Sequence, residues 1–304
     1  MHIAVAGAGA LARYIGDEFP KHGHEVVILT RSEKEFFRNR RHTTQVVTDY
    51  TVPSLVTAIE DCEMLISVIE LSTTDNIDVH LNLMKACQLS PKCKRFIPCE
   101  YGANIEDHPD VPFFHWETRE PIRKALREQT EIEWTLVNIG WLVDYVVPRR
   151  NRYLKEPGET FPVNVEEKRL VIPGTGKESV DVTAARDVAA ALALLAKAPS
   201  WEPYTYISGK KTCWNELAEL VQRRYPGTWD VRRLGLGRIL ETIQISTDKR
   251  EVVIAHYQLI TPLGAGDFHA LKVEDHRRKF FPELVFRSPE QLIDEIEESW
   301  NKIV

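Results

Sequence analysis

The sequence predicts an α/β protein with a doubly wound parallel sheet followed by a smaller C-terminal α+β lobe. Three observations carry this. From Ile3 to Asn138, short β-branched runs alternate with segments of helical periodicity, the pattern of successive βαβ units. Gly and Pro then thicken after Pro148, through Pro157-Gly158, Pro162 and Pro173-Gly174-Thr175-Gly176, which marks a change of lobe. The length of 304 residues suits two unequal units, since domains run roughly 100 to 200 residues. The expected units are residues 1–148 and 149–304, with a segment around 180–210 returning to the first.

Taken in order, Ile3 to Ala6, Glu25 to Leu29, Thr44 to Thr48, Met64 to Ile69, Arg95 to Pro98 and Trp134 to Asn138 read as buried parallel strands. Amphipathic helices are expected over Ile77 to Leu89 and Glu117 to Gln129, then a helix from Ala184 to Lys197 and a strand from Thr205 to Ser208. The residues from Ser288 onward predict a capped C-terminal helix.

Bulk composition narrows the partners. A net charge of −6 gives no footprint for nucleic acid, and the basic runs at Arg38 to Arg41, Arg149 to Arg152 and Arg277 to Lys279 lie among acidic residues. Five cysteines, Cys62, Cys87, Cys93, Cys99 and Cys213, are odd in number and lack a C-x-x-C pair, so neither a disulfide framework nor a metal site is expected. No charged leader precedes the first apolar strand and no apolar run approaches the ~18 residues of a membrane span. The expectation is a cytoplasmic protein without membrane attachment, monomeric or homodimeric, acting on a small molecule.

Gly7-Ala8-Gly9-Ala10-Leu11-Ala12 places G-x-G-x-x-A directly after the first strand and at the start of a helix, the context of a Rossmann-type dinucleotide site. Gly7 permits the tight turn, Gly9 lets the pyrophosphate approach the backbone, and Ala12 lets the helix pack closely, while the N–H groups of Ala10, Leu11 and the rest of the first turn face the anion. The second strand ends Ile28-Leu29-Thr30-Arg31. A cation at that position suits a ribose 2′-phosphate, whereas NAD sites carry an acid there. Arg31 can pair bidentately with the phosphate, and Lys34 or Arg13 can add charge. The expected cofactor is NADP(H).

With these segments, Asp49-Tyr50, Lys94-Arg95-Phe96-Ile97-Pro98-Cys99-Glu100-Tyr101-Gly102 and Ile172-Pro173-Gly174-Thr175-Gly176, the chain resembles the NmrA-like and isoflavone-reductase-like group of atypical short-chain dehydrogenases, nearly end to end. The segment Lys94 to Gly102 is similar to the group's K-R-F-I-P-S-E-F-G, with Cys99 in place of serine and Tyr101 in place of phenylalanine. The resemblance implies an NADP-binding Rossmann domain, a small substrate domain and an active site in the cleft between them, with Asp49, Ile69 and Tyr101 added to the cofactor contacts. It also implies a lysine in a K-x-x-[VI]-R pattern. Here the stretch is Arg119-Glu120-Pro121-Ile122-Arg123, so a permanently protonated arginine stands at the lysine position. A Y-x-x-x-K match at Tyr206 to Lys210 crosses Gly209 from strand into turn and is read as accidental.

Arg119 is therefore a candidate clamp for a carbonyl or anion, His115 a candidate acid or base near neutral pH, and Glu100 a candidate catalytic residue at the end of the fifth strand, where open α/β sheets bind ligands. By the same resemblance Phe114, Trp116, Trp141 and Tyr145 line the substrate cleft, with Asn138 and Asp144 orienting the ligand. Two functions follow. One is an NADPH-dependent oxidoreductase of a bulky, largely apolar secondary metabolite, aromatic or alkaloid-like, including the case where reduction is coupled to cyclisation. The other is a non-catalytic NADP(H) sensor.

Overall fold

The computed structural model describes residues 1–71 and 73–304. The first half runs β1 (His2–Ala6), α1 (Ala10–Glu18), β2 (Glu25–Thr30), β3 (Thr43–Val47), α2 (Val52–Ala58), β4 (Met64–Ser67), α3 (Asp75–Leu89), β5 (Arg95–Ile97), α4 (Phe114–Thr118), α5 (Glu120–Glu128), β6 (Glu133–Trp134) and β7 (Leu136–Asn138). Six strands form a parallel sheet in the order β3-β2-β1-β4-β5-β6. The order reverses between β1 and β4, which opens a crevice at their C-terminal ends.

Both faces of this sheet are covered, and the period of two along β1 shows how. Ile3 and Val5 join one core with Ile15 of α1, whereas Ala4 and Ala6 join another with Leu55 of α2 and Leu83 of α3. All four β1 side chains are fully buried, which is why the strand reads as a continuous apolar run.

The second half contains β8 (Trp141–Leu142), β9 (Val163–Asn164), β10 (Arg169–Pro173), β11 (Ser179–Thr183), α6 (Ala185–Leu195), β12 (Tyr204–Tyr206), β13 (Lys210–Cys213), α7 (Trp214–Arg224), β14 (Asp230–Leu234), α8 (Leu236–Ile245), α9 (Lys249–Gln258), α10 (Ala270–Phe280) and α11 (Pro289–Glu298). Two three-stranded sheets, β14-β10-β9 and β13-β11-β8, share a core of Phe161, Leu170, Val180, Trp214, Val221 and Leu292. The alanine-rich α6 lies in the same core as α1, and β12 pairs in parallel with β7. Ser288 caps α11 in a reciprocal capping box with Gln291.

Three elements differ from the sequence expectation. The strand expected from Trp134 to Asn138 breaks at Thr135: β6 pairs with β5, while β7 pairs with β12. The Thr135 hydroxyl meets that of Thr205 at 2.8 Å across the gap. The helix expected from Glu117 to Gln129 breaks at Arg119, which ends α4 and caps α5 with φ −126°. Pro121 has no N–H for the carbonyl of Glu117, so one uninterrupted ladder cannot form. The fourth strand also ends at Ser67 rather than Ile69, and Ile69, Glu70 and Leu71 line the spaces beyond its end. Among the described residues all five cysteines are free, and no helix is long and apolar enough to cross a membrane.

Candidate functional site

The turn after β1 is built for close approach. Gly7 has φ +106°, and its N–H donates to the Leu29 carbonyl at 3.0 Å. A Cβ there would stand 3.1 Å from Ile69 Cγ1 and 3.2 Å from Val68 Cγ2. Gly9 caps α1 without a side-chain partner, and a Cβ at Gly9 would meet nothing within 4 Å. Open space therefore lies against the first turn, Ala10, Leu11 and Ala12, whose N–H groups lack intrahelical partners. Ala12 itself is fully buried.

A cleft of about 350 Å³ begins at this turn and is lined by Ala8, Gly9, Arg31, Lys34, Tyr50 and Ile69, among others. The Arg31 guanidinium lies 5.8 Å from the Tyr50 ring, and Tyr50 is fixed by its hydroxyl donating to the Leu29 carbonyl at 2.6 Å. Arg31 and Lys34 are exposed at the rim. Arg13 and Asp49 do not line the cleft. The Arg13 guanidinium sits 4.7 Å from the Phe36 ring. Asp49 accepts the Thr51 N–H at 2.9 Å and the Thr51 hydroxyl at 2.8 Å, and these bonds hold its carboxyl below the ordinary value.

A second cavity, of about 410 Å³, opens where β4 and β5 end and reaches α9. Tyr101, Trp141, Tyr145 and Tyr257 give it aromatic walls, Ile139, Val253 and Ile260 apolar ones, and Glu70 is the acid in its lining. Ile69 lines the first cleft and Glu70 the second. Consecutive residues just past β4 therefore line the two spaces.

Behind the second cavity lies a buried ion network. Glu100 receives Arg123 bidentately, Nε to Oε1 at 2.9 Å and Nη2 to Oε2 at 2.9 Å, and Arg119 Nη1 stands 3.5 Å from Oε2. Burial pushes the Glu100 carboxyl up, but Arg123 and Arg119 outweigh it and hold the group below its ordinary value. Glu100 is thus an ionised counter-ion, engaged on both oxygens by Arg123 and Arg119, in place of the catalytic candidate read from the sequence. Arg119 is buried; it donates to the Cys99 carbonyl and reaches Glu70 Oε1 at 3.6 Å. It stands behind Glu70 rather than in the cavity wall. The Tyr257 hydroxyl donates to the same Glu70 oxygen at 2.9 Å.

His115 is 9% exposed and packs edge-on against Phe114, with neither ring nitrogen hydrogen-bonded. Burial, then the charges of Arg119 and Arg123, drive its pKa well below the usual value. The ring is neutral, and it is absent from the cavity lining, so the geometry does not place it as the acid or base read from the sequence.

Of the expected substrate contacts, Trp141 and Tyr145 line the cavity. Phe114 stands one layer behind, its ring centroid 5.7 Å from that of Tyr257, and Trp116 is 53% exposed. Asn138 accepts the Ile105 N–H at 3.0 Å and is fully buried, and Asp144 accepts the Ala185 N–H at 2.8 Å at the start of α6. Both side chains serve the backbone, because carbonyls and N–H groups at strand and helix ends inside the core must be paired. Tyr206 and Lys210 also part company: the tyrosine hydroxyl donates to Glu106 at 2.6 Å and the lysine pairs with Glu290 at 3.0 Å. Sequence reasoning missed Glu70 and Tyr257. Glu70 follows a strand without any motif, and Tyr257 is one residue of a helix far along the chain; only Tyr50, beside Asp49, carried a local signal.

The sequence matches the NmrA-like family over residues 1–294. Oxidoreductase swnR of Arthroderma benhamiae is 45% identical, with 100% of both chains covered. Among solved structures, AtPrR2 with NADP+ and (+)pinoresinol superposes with a TM-score of 0.78 at 19% identity, over 97% of this chain and 98% of that one. The binary complex of leucoanthocyanidin reductase with NADPH from Vitis vinifera gives 0.74 at 16% identity, over 97% and 99%. The continuous match, joined to the six-stranded parallel sheet and its glycine turn, shows that this chain belongs to the NmrA-like family.

Proposed function

We propose that the protein is an NADP(H)-dependent oxidoreductase that reduces a flat, largely apolar small molecule. The observation that carries this is the junction at Ile69 and Glu70, where the cleft beginning at the glycine turn meets the aromatic cavity. The 45% identical relative is itself an oxidoreductase, and the structures of similar fold hold NADP+ or NADPH.

The residues fit such a cofactor. Open space at Gly9 admits a pyrophosphate to the N–H groups of Ala10, Leu11 and Ala12. Arg31 and Lys34 at the rim supply charge for a 2′-phosphate, with Tyr50 backing the guanidinium. Ile69 forms the wall toward the second cavity. NADPH bound there supplies a hydride. Tyr101, Trp141 and Tyr145 then hold the acceptor molecule by face and edge contacts while excluding water. Arg119 keeps Glu70 in place through their ion pair. In this reading the working cleft lies between the units 1–148 and 149–304.

Incubating the protein with a metabolite extract and NADPH deuterated at C4 of the nicotinamide, each face in turn, tests the assignment. A product heavier by one deuterium from one face only is expected. Tight NADPH binding without any labelled product would instead favour the sensor.

A further inference from the structure

We propose that Tyr257 is the proton donor of the aromatic cavity and that Glu70 positions its hydroxyl; the assignment rests on the reductase reading above. The family's lysine position is filled here by Arg119, which stays protonated and faces Glu70, Glu100 and the Cys99 carbonyl. The proton must come from another group. The ionisable side chains lining the cavity are Glu70, Tyr101, Tyr145 and Tyr257. The Tyr101 hydroxyl is buried without a partner, and Tyr145 packs 5.0 Å from Phe161 with the Arg152 guanidinium 4.9 Å from its ring. Tyr257 alone of the three donates to a group that reaches solvent: its bond to Glu70 is 2.9 Å long, and the Glu70 side chain is 60% exposed.

Position and chemistry agree. Glu70 is the residue next to Ile69, so Tyr257 is held at the junction of the two spaces although it comes from α9 of the second lobe. Burial, reinforced by the Glu70 charge, raises the Tyr257 pKa above its ordinary value, so the phenol stays protonated and available as a donor at neutral pH. In the reduction of a carbonyl, the hydride from NADPH bonds to carbon and the C=O π pair moves to oxygen. That oxygen takes the Tyr257 proton, which gives up its hydrogen bond to Glu70 as the phenol O–H bond breaks. Water entering past Glu70 returns a proton to the phenolate, and Arg119, 3.6 Å from the same Glu70 oxygen, offsets the transient negative charge.

The test uses the full chain and 2-naphthaldehyde, a flat carbonyl compound small enough for the cavity. In the NADP+ complex, the infrared carbonyl stretch of the bound aldehyde is expected at lower frequency in the wild type and in Glu70→Gln, and unshifted in Tyr257→Phe. With NADPH, Tyr257→Phe and Glu70→Leu should each lose about 100-fold in kcat, the usual worth of a positioned proton donor. Glu70→Gln, which keeps an acceptor oxygen, should recover most of it. NADPH affinity should be the same in all four proteins. A shift that persists in Tyr257→Phe, or turnover of that variant within about threefold of wild type, overturns the proposal. Wild type that binds NADPH but leaves the aldehyde unbound or unshifted overturns the Tyr257 assignment alone; wild type that fails to bind NADPH overturns the reductase reading beneath it.

Discussion

Glu100 illustrates how burial changes the role of a carboxylate. At 4% exposure, between Arg123 and Arg119, it is stable only because both oxygens are met by guanidinium groups. Replacing Arg123 with leucine should cost about 3–5 kcal/mol, because removing one partner of a buried pair strands the other; urea denaturation at neutral pH reads it. The pH dependence has a definite sign. The folded-state pKa of Glu100 is depressed, so its stabilising contribution is present above the unfolded value of about 4.3 and is lost as pH falls through the folded value. Arg31 makes the opposite case, a cation exposed beside Tyr50. Arg31→Glu should weaken NADPH binding by about 10- to 100-fold, on the scale of charge-assisted hydrogen bonds, while leaving NADH binding and thermal stability unchanged. A fluorescence titration of both cofactors decides it.

At the scale of elements, the β1–α1 turn separates folding from binding. Gly9 has an ordinary φ of −81° and open space where a Cβ would point, so Gly9→Val should leave the thermal midpoint within a few degrees of wild type yet abolish NADPH binding. Equal NADPH affinity in the variant would mean that the pyrophosphate does not lie against this turn. The start of α6 offers a second test. Burial pushes the Asp144 carboxyl up to about 6, against the Ala185 N–H that favours its charge. A raised folded pKa means stability that is full below the unfolded value of about 3.9 and declines as pH rises through about 6. Asp144→Asn keeps an acceptor without the charge, so it should melt higher than wild type at pH 8 and show no such gain at pH 4. Melting curves at the two pH values compare them directly.

The whole molecule shows which parts of function are local. Gly7, Gly9, Arg31 and the strand alternation were legible because each depends on neighbours in sequence: a turn, a helix start, a strand end. The break at Arg119 was not legible in the helix expected from Glu117 to Gln129, since the amphipathic pattern of α5 extended backward over α4. Glu70 and Tyr257 were illegible, because their meeting depends on how α9 of the second lobe sits over the end of β4, a contact across 187 positions of chain. Asn138 and Asp144 were misread for a related reason: polar residues at element ends in the core are claimed by the backbone before any ligand. The central claim, that this junction serves a dinucleotide carrying a 2′-phosphate, is tested most directly by calorimetric titration of the wild-type chain with NADPH and NADH. Saturable one-to-one binding of NADPH is expected, at least about tenfold tighter than NADH, as follows from even one phosphate-bound cation. Equal affinity for the two, or none for NADPH, would contradict it.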